Sequence, residues 1–358
     1  MNGLERVLTA LRLKEPDRVP HFERVAKKVI NAIMPGASHE DFVERMDLDG
    51  LRFIDRTNSW KYEVIDSSGM VKRDQWGGVV RYSGEDNPIP VEPAVNSEKE
   101  LDKYKLPDPD EEWRYDYLRQ LVKRFKGERA IIVGVTDVFA LGRENFLGFN
   151  GYLMGMLKNP AYIERVNELL LGYQLRYMKN CKDAGADIFW INGDWAVTEK
   201  PMVSYELTRR FLVPPLQKMV AFAHELGIPC IKHTDGNIMP ICELILDTGI
   251  DGLHPIDPMA GMDIGEAKRA FGHRVCLCGN VSCAFSLVSG TEEEVREETR
   301  EVIRKAGKGG GLICMSSNSI HSGVKPQNYL AMLKAIRDYG TYPLEDHFDN
   351  LISPGESR

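Results

Sequence analysis

Short runs with the character of buried strands alternate along this chain with longer segments of helical period. Amphipathic stretches such as 162–184, 205–226 and 291–306 separate most of the runs. A strand followed by a helix, repeated, predicts parallel strands joined by crossover helices. Eight such runs, each mostly continuous in apolar character, favour a closed (β/α)8 TIM barrel over an open doubly wound sheet. The absence of a GxGxxG fingerprint and of a phosphate-binding P-loop agrees with this choice. The strand-like runs lie at residues 19–22, 50–54, 130–135, 187–192, 229–232, 252–256, 275–278 and 312–315.

The second and third runs are separated by about residues 56–129, a span too long for a single crossover. Within it, 62–65 and 70–73 predict a β-hairpin, 79–82 predicts a further short strand, and 116–125 predicts a helix. We therefore expect an insertion over the barrel mouth between strands 2 and 3. The domain prediction is one barrel domain at 1–345, followed by a C-terminal tail at 346–358.

The charge balance and the cysteines exclude several classes of protein. The 358 residues carry 46 lysines and arginines against 53 aspartates and glutamates, a net charge of -7 without a long basic block. Nucleic acid and anionic membranes are not expected as partners, because both require concentrated positive charge. No apolar run reaches the roughly 18 residues of a membrane-spanning helix. Seven cysteines without an export signal predict reduced thiols in the cytoplasm. Monomer and homodimer both stay open.

Polar side chains follow most of the predicted strands, where α/β barrels place their catalytic groups. His233 and Asp235 are two residues apart on one strand edge, so they face the same side and are candidates for a divalent metal site. A histidine hydrogen-bonded to neighbouring backbone would explain the same pair. Asp194 is a further acidic candidate, although capping a loop is an alternative role. The full set is Glu23, Asp137, Asp194, Trp195, His233, Asp235, His254, Asp257, Asn280, Asn318 and His321.

Four segments of the chain carry a resemblance to a known superfamily. They are EPDRVP at 15–20, KHTDGN at 232–237, GNV at 279–281, and SSNSIH at 316–321 followed by KPQNY at 325–329. In these segments the chain resembles the uroporphyrinogen decarboxylase superfamily, which also contains the corrinoid-dependent methyltransferases. The resemblance extends from about residue 4 to residue 343, and it implies the same barrel fold.

Two departures from the decarboxylase pattern indicate the methyltransferase branch. The decarboxylases carry an arginine-rich loop after the first strand for the many carboxylates of their substrate, whereas FERVAKK at 22–28 contains one arginine and one glutamate. The decarboxylases also present a histidine after the last strand, where this chain has Asn318. Uroporphyrinogen decarboxylase of tetrapyrrole biosynthesis is therefore the alternative function, and a non-catalytic barrel that binds a small ligand is a further alternative.

The superfamily methyltransferases that methylate coenzyme M hold zinc through a His-x-Cys pair and a later cysteine. This chain retains the histidine as His233 and has Asp235 and Asn318 at the two cysteine positions. Imidazole and oxygen ligands suit a harder Lewis acid than thiolates do, and a Lewis acid makes an ether oxygen a better leaving group. The resemblance thus implies transfer of a methyl group from a small O-methyl (aromatic ones included) or N-methyl donor to a corrinoid. A separate protein would carry the corrinoid, because no DxHxxG signature is present.

The resemblance also implies roles for the rim residues. His233 and Asp235 would hold Zn²⁺, joined by Asp194 or by water, and without a metal either one would donate a proton to the departing oxygen. Trp195 would form an apolar or cation–π wall. The other predicted substrate-binding residues are Asp194, His254, Asn280, Asn318 and His321.

Overall fold

The structure is a computed structural model that describes residues 1–53, 63–82 and 88–344. Seven parallel strands form one sheet in the order β1-β6-β7-β8-β9-β10-β11, and four strands form an antiparallel sheet in the order β2-β3-β4-β5. The bounds are β1 (Gly50–Phe53), β2 (Glu63–Val64), β3 (Val71–Arg73), β4 (Val79–Arg81), β5 (Ile89–Glu92), β6 (Ala130–Thr136), β7 (Ile188–Asn192), β8 (Cys230–His233), β9 (Gly252–His254), β10 (Cys276–Val281) and β11 (Leu312–Ser316).

The parallel sheet closes through an extended segment at 19–25, where the first strand was predicted. The carbonyl of Pro20 accepts from the backbone N–H of Cys314 at 3.0 Å, and the carbonyl of His21 accepts from Asp49 at 2.8 Å. This segment therefore bridges β11 and β1 and occupies the eighth barrel position. It has no regular ladder, and Pro20 lacks the N–H that such a ladder needs. The predicted α/β barrel is confirmed, with seven regular strands instead of eight in the described residues.

The insertion between the second and third barrel strands contains the small antiparallel sheet. The predicted hairpin and the following strand are observed as β2, β3 and β4, and the helix at 116–125 is observed with the same bounds. Strand β5 was not predicted, because its Pro90 removes a backbone donor; the strand lies at the sheet edge, where proline is tolerated. The described residues do not include the predicted tail at 346–358, nor positions 54, 56 and 62, where the second predicted strand ends and the predicted insertion and hairpin begin.

Helices pack on the outside of the parallel strands, and their ends follow local capping rules. The longest begins at Pro160 behind an Asn159 cap, and another begins with a capping box between Thr291 and Glu294. The α-helices are α1 (Gly3–Leu11), α2 (Lys27–Ile33), α3 (His39–Arg45), α4 (Glu98–Leu101), α5 (Asp116–Phe125), α6 (Val138–Leu141), α7 (Phe149–Lys158), α8 (Pro160–Asp183), α9 (Tyr205–Leu207), α10 (Val213–Glu225), α11 (Cys242–Leu246), α12 (Ile264–Phe271), α13 (Ser286–Ser289), α14 (Glu292–Ala306) and α15 (Pro326–Tyr339).

Two layers of apolar side chains hold the barrel together. The outer layer lies between strands and helices, and the inner layer fills the barrel with residues such as Ile132, Trp190 and Met315. Helix α1 contributes Val7 and Leu11 to the inner layer, so it closes one end. All seven cysteines are buried, and no disulfide joins any of them in the described residues. Buried thiols of this kind pack as small hydrophobes. In the described part of the chain, no helix is long and apolar enough to cross a membrane.

Candidate active site

A cavity of about 960 Å³ lies at the carboxyl ends of the barrel strands. The antiparallel sheet of the insertion contributes one side of it through Trp76, Val80, Pro90 and Glu92. The insertion therefore covers the barrel mouth, as the sequence predicted. The barrel side of the lining includes residues in the carboxyl-terminal halves of the strands and in the loops that follow them: Gly134, Thr136, Asn192, Gly193, Asp194, His233, Asp235 and Asn318.

One histidine and two aspartates meet on this lining. Asp194 follows β7, His233 ends β8, and Asp235 comes two residues later; one ligand atom from each lies within 4.8 Å of the others. His233 Nε2 is 3.7 Å from Asp194 Oδ1 and 3.7 Å from Asp235 Oδ1. The backbone N–H of Asp235 donates to Asp194 Oδ1 at 3.0 Å, which fixes the two loops to each other.

The carboxyl group of Asp235 is only partly satisfied. Its Oδ2 accepts from the Asn318 amide at 2.6 Å, whereas its Oδ1 is buried and accepts no hydrogen bond from the described residues. Burial, with the charges of Asp194 and Asp257, raises the pKa of Asp235 to about 8. A carboxylate in this position therefore needs either a bound cation or a proton.

Hydrogen bonds behind His233 fix the tautomer of its ring. His254 Nε2 faces the carbonyl oxygen of Ser316 at 3.2 Å; because a carbonyl can only accept, this nitrogen carries the proton. Burial lowers the pKa of His254 well below its usual value, so the ring is neutral and its Nδ1 accepts from His233 Nδ1 at 2.8 Å. His233 is therefore protonated on Nδ1, and the lone pair of Nε2 points toward the two aspartates.

The donor set fits a divalent metal ion. Burial and the neighbouring positive charge of Arg52 lower the pKa of His233 to about 3, so its imidazole is neutral and can act as a ligand. The unpartnered Oδ1 of Asp235 and the carboxylate of Asp194 supply oxygen ligands beside it. One imidazole and two carboxylates are a ligand set that Zn²⁺ accepts, with further positions open to water or substrate.

A buried lysine supports the strand ends below this cluster. Lys232 Nζ donates to Asp137 Oδ2 at 2.7 Å, to the Gly193 carbonyl at 2.6 Å and to the His233 carbonyl at 3.0 Å. Gly193 has a φ of 155°, and a Cβ there would lie 2.3 Å from the Asp137 carboxyl group. The chain therefore needs glycine at the residue that precedes Asp194.

The remaining predicted substrate ligands lie outside the cavity lining. Trp195 is buried, and its Nε1 donates to Asp137 at 2.8 Å. Asn280 donates to the Ile256 carbonyl at 2.9 Å, and the ring of His321 faces the Cys283 carbonyl at 3.0 Å. His254 is fully buried behind His233 and does not line the cavity either. Side-chain direction at a strand end depends on loop conformation, so position in the sequence alone did not separate these residues from Asp194 and Asn318.

Sequence reasoning also missed residues that do line the cavity. Arg52, inside β1, and Arg143, in the helical turn after α6, both face it, together with Arg24. Of these three arginines, Arg24 alone lies in the FERVAKK loop at 22–28, where the decarboxylase pattern places its arginines. The inward position of Arg52 does follow from alternation along β1, because Leu51 and Phe53 belong to the outer apolar layer. That signal was available from the sequence once the strand was assigned.

The protein is a closed α/β barrel with an imidazole and two carboxylates at the carboxyl ends of its strands. This is where enzymes with this fold place their catalytic groups. The chain belongs to the uroporphyrinogen decarboxylase (URO-D) family, whose profile matches residues 63–339. Uroporphyrinogen decarboxylase of Shewanella loihica is 25% identical over 255 residues, which cover 66% of this chain and 68% of that protein.

Two methyltransferases are also similar to the chain. Methylcobamide:CoM methyltransferase MtaA of Methanosarcina barkeri is 23% identical over 217 residues, which cover 61% of this chain and 60% of that protein. The solved structure of a methyltransferase from Methanosarcina mazei superposes with a TM-score of 0.72 at 18% identity and covers 95% of this chain and 99% of that one. At this identity the structural likeness shows the shared fold.

Proposed function

We propose that this protein is a methyltransferase that moves a methyl group from a small O-methyl or N-methyl compound to the corrinoid of a separate protein. The observation that carries the proposal is the cluster of one neutral imidazole and two carboxylates that faces a large covered cavity. The similarity to the Methanosarcina barkeri methyltransferase supports the same branch of the family.

His233, Asp235 and Asp194 would hold Zn²⁺, which when bound supplies Lewis-acid polarisation of the donor's oxygen or nitrogen. His233 presents the Nε2 lone pair, and Asn318 orients Asp235 through its amide. In the transfer, the bond between the methyl carbon and its oxygen or nitrogen breaks. Cobalt(I) of the partner provides the electron pair for the new cobalt–carbon bond, and the departing atom takes a proton.

Asp235 is the group that would supply this proton in a metal-free version of the same reaction. Its raised pKa keeps the carboxyl group protonated near neutral pH. His233 is the alternative donor predicted from the sequence, but its lowered pKa and its proton on Nδ1 leave Nε2 without a proton to give. The geometry therefore favours Asp235 over His233 for proton donation.

The direct test uses purified protein, a panel of O-methyl and N-methyl compounds, and a reconstituted corrinoid protein in the cobalt(I) state. We expect the absorption of cobalt(I) to give way to that of methylcobalt(III) with at least one donor. The demethylated product should form in equal amount. Failure with every donor and every corrinoid partner, together with retained ligand binding, would instead support the non-catalytic barrel.

Uroporphyrinogen decarboxylase is the second candidate function. The name of the Shewanella loihica relative and the arginines on the cavity lining favour it. Two features count against this function. The loop at 22–28 contains a single arginine, and Asn318 replaces the histidine of the decarboxylases. Incubation with uroporphyrinogen tests it directly: formation of coproporphyrinogen at enzymatic rates would overturn the proposed methyl transfer.

We expect His254 to contribute to metal affinity without touching the metal, because its contact with His233 Nδ1 fixes the tautomer of that ring. His254→Leu removes the acceptor for His233 Nδ1–H, so we expect the zinc dissociation constant to rise about 10- to 100-fold. His254→Gln keeps an acceptor at this position, so a smaller rise is expected. Competition with a chromophoric chelator measures both values. Unchanged affinity in the folded leucine variant would show that the His254 contact does not orient His233.

A further inference from the structure

Arg52 carries a positive charge that the described residues leave without an ion-pair partner. Its Nη2 donates to the side-chain oxygen of Asn192 at 3.2 Å, and its Cζ lies 4.2 Å from the centroid of the Trp190 ring. Its Nε is buried without a hydrogen-bond partner. A guanidinium offers five N–H donors, so most of the recognition capacity of Arg52 is unused in the described structure.

The surroundings of Arg52 do not neutralise this charge. No carboxylate of the described residues lies within 4.0 Å of it. Glu23 is the acid that influences it, but burial raises the pKa of Glu23 to about 7, so this group is largely protonated below neutral pH. Arg24 adds a second positive charge nearby, and the pKa of Arg52 is lowered to about 9 by burial and by Arg24. Unpaired buried charge is costly, which indicates that something else completes the site.

Arg52 lies close to the proposed catalytic cluster. The Trp190 ring that stacks under Arg52 also stacks on the His233 ring, with centroids 6.0 Å apart. Both Arg52 and His233 line the same cavity, as does Asn192. One small molecule can therefore reach both groups, with an anionic end at Arg52 and its reacting atom beside His233 and Asp235.

The rest of the cavity suits the body of such a molecule. Trp76, Phe149, Tyr173 and Tyr177 supply aromatic lining, and Val80 adds an aliphatic surface. Aromatic side chains bind planar apolar groups, whereas a carboxylate pairs with the planar fork of arginine in a bidentate way. Arg143 also lines the cavity, but it already pairs with Glu144 at 2.9 Å and donates to the Asp194 carbonyl at 3.2 Å. Arg143 Nε is likewise buried without a hydrogen-bond partner, but of these two arginines Arg52 is the one that has no ion pair among the described residues.

We propose that Arg52 forms an anion-binding subsite and that the methyl donor is a compact aromatic compound that bears a carboxylate. That this ligand is the methyl donor rests on the proposed function. The anion-binding subsite at Arg52 does not depend on it. A single unpaired guanidinium matches one carboxylate. Arg52 also comes from a barrel strand, outside the loop in which the decarboxylases concentrate their arginines.

The test is binding of 3-methoxybenzoate and of its neutral isostere 3-methoxybenzamide to the purified protein, measured by calorimetry without any corrinoid protein. We expect the carboxylate to bind about 10- to 100-fold more tightly than the amide. Arg52→Gln should remove this preference, and Arg52→Lys should keep part of it. Arg209→Gln, an exposed arginine paired with Glu206, is the matched control and should behave like the unmodified protein.

Each outcome has a defined meaning. Equal affinity for the two compounds, or no binding of either, would overturn the subsite. A preference that persists in Arg52→Gln would overturn it too, because the carboxylate would then bind elsewhere, for example at a metal held by His233. The comparison of acid and amide on the unmodified protein needs no variant, so misfolding of a variant does not affect it. Methyl transfer from neutral donors alone would contradict the subsite and leave the proposed function intact.

Discussion

Replacing His233 by alanine is expected to remove bound zinc and to lower the rate of methyl transfer at least about a thousandfold. A metal that polarises the leaving atom contributes several kcal/mol to the transition state, and each 1.4 kcal/mol corresponds to about a factor of ten in rate. His233 would be the nitrogen ligand of the cluster, since its Nε2 lies 3.7 Å from an oxygen of each of the two carboxylates. Metal analysis of the purified variant and the methylcobalt(III) assay measure the two effects.

His273→Ala is the control for this experiment, because His273 is exposed and lies outside the cavity lining. This variant should retain close to one equivalent of zinc and full activity. Methyl transfer by a His233→Ala protein that holds no metal would contradict the metal-dependent version of the mechanism. In that case Asp235 would remain as the proton donor, and its own substitution would distinguish the two versions.

The barrel could be predicted from the sequence because its signals are local and repeated. Buried runs such as 130–135 and 187–192 are found in β6 and β7, since their apolar residues fill both faces of a parallel sheet. The segment at 19–25 is the exception, because its barrel position depends on hydrogen bonds to residues nearly 300 positions away. Strand β5 was missed because proline obscures an edge strand.

The candidate site was partly predictable for a different physical reason. Carboxyl ends of parallel strands meet at one face, so Asp194, His233 and Asp235 could be brought together without knowledge of any contact. The direction of a side chain within a loop has no such rule, and Asn280 and His321 turn to backbone carbonyls instead. The hydrogen bonds of His254 with His233 and with the Ser316 carbonyl depend on the orientations of both imidazole rings, which only the structure shows.

Asp235→Asn is expected to have opposite effects on activity and on stability. The variant would lose the proposed metal ligand and proton donor, so methyl transfer should fall at least about a hundredfold. In metal-free protein at pH 8, however, the variant should be more stable than the unmodified protein by about 2 kcal/mol, because an amide carries no charge into this buried position. The Asn318 amide can still donate to the oxygen of the new side chain.

The pH dependence of this stability difference has a definite sign. The pKa of Asp235 is about 8 in the folded protein and near its ordinary value of 3.8 in the unfolded chain. Between these values the folded state binds the proton that the unfolded state has released, so the free energy of unfolding of the unmodified protein falls as the pH rises. The asparagine variant lacks this slope, and its advantage should therefore be small at pH 4 and grow up to pH 8.

Urea unfolding in the presence of a chelator, at pH 5 and at pH 8, measures this difference. Asp183→Asn is the matched control, because Asp183 is an exposed aspartate whose ion pair in the described part of the chain is with Lys179 on the surface of α8. Its substitution should change the free energy of unfolding by less than about 0.5 kcal/mol at either pH. A less stable Asp235→Asn protein at pH 8 would mean that the carboxylate is favourably bound without a metal. The unpartnered Oδ1 would then have no energetic cost, and the electrostatic case for a cation at this cluster would fail.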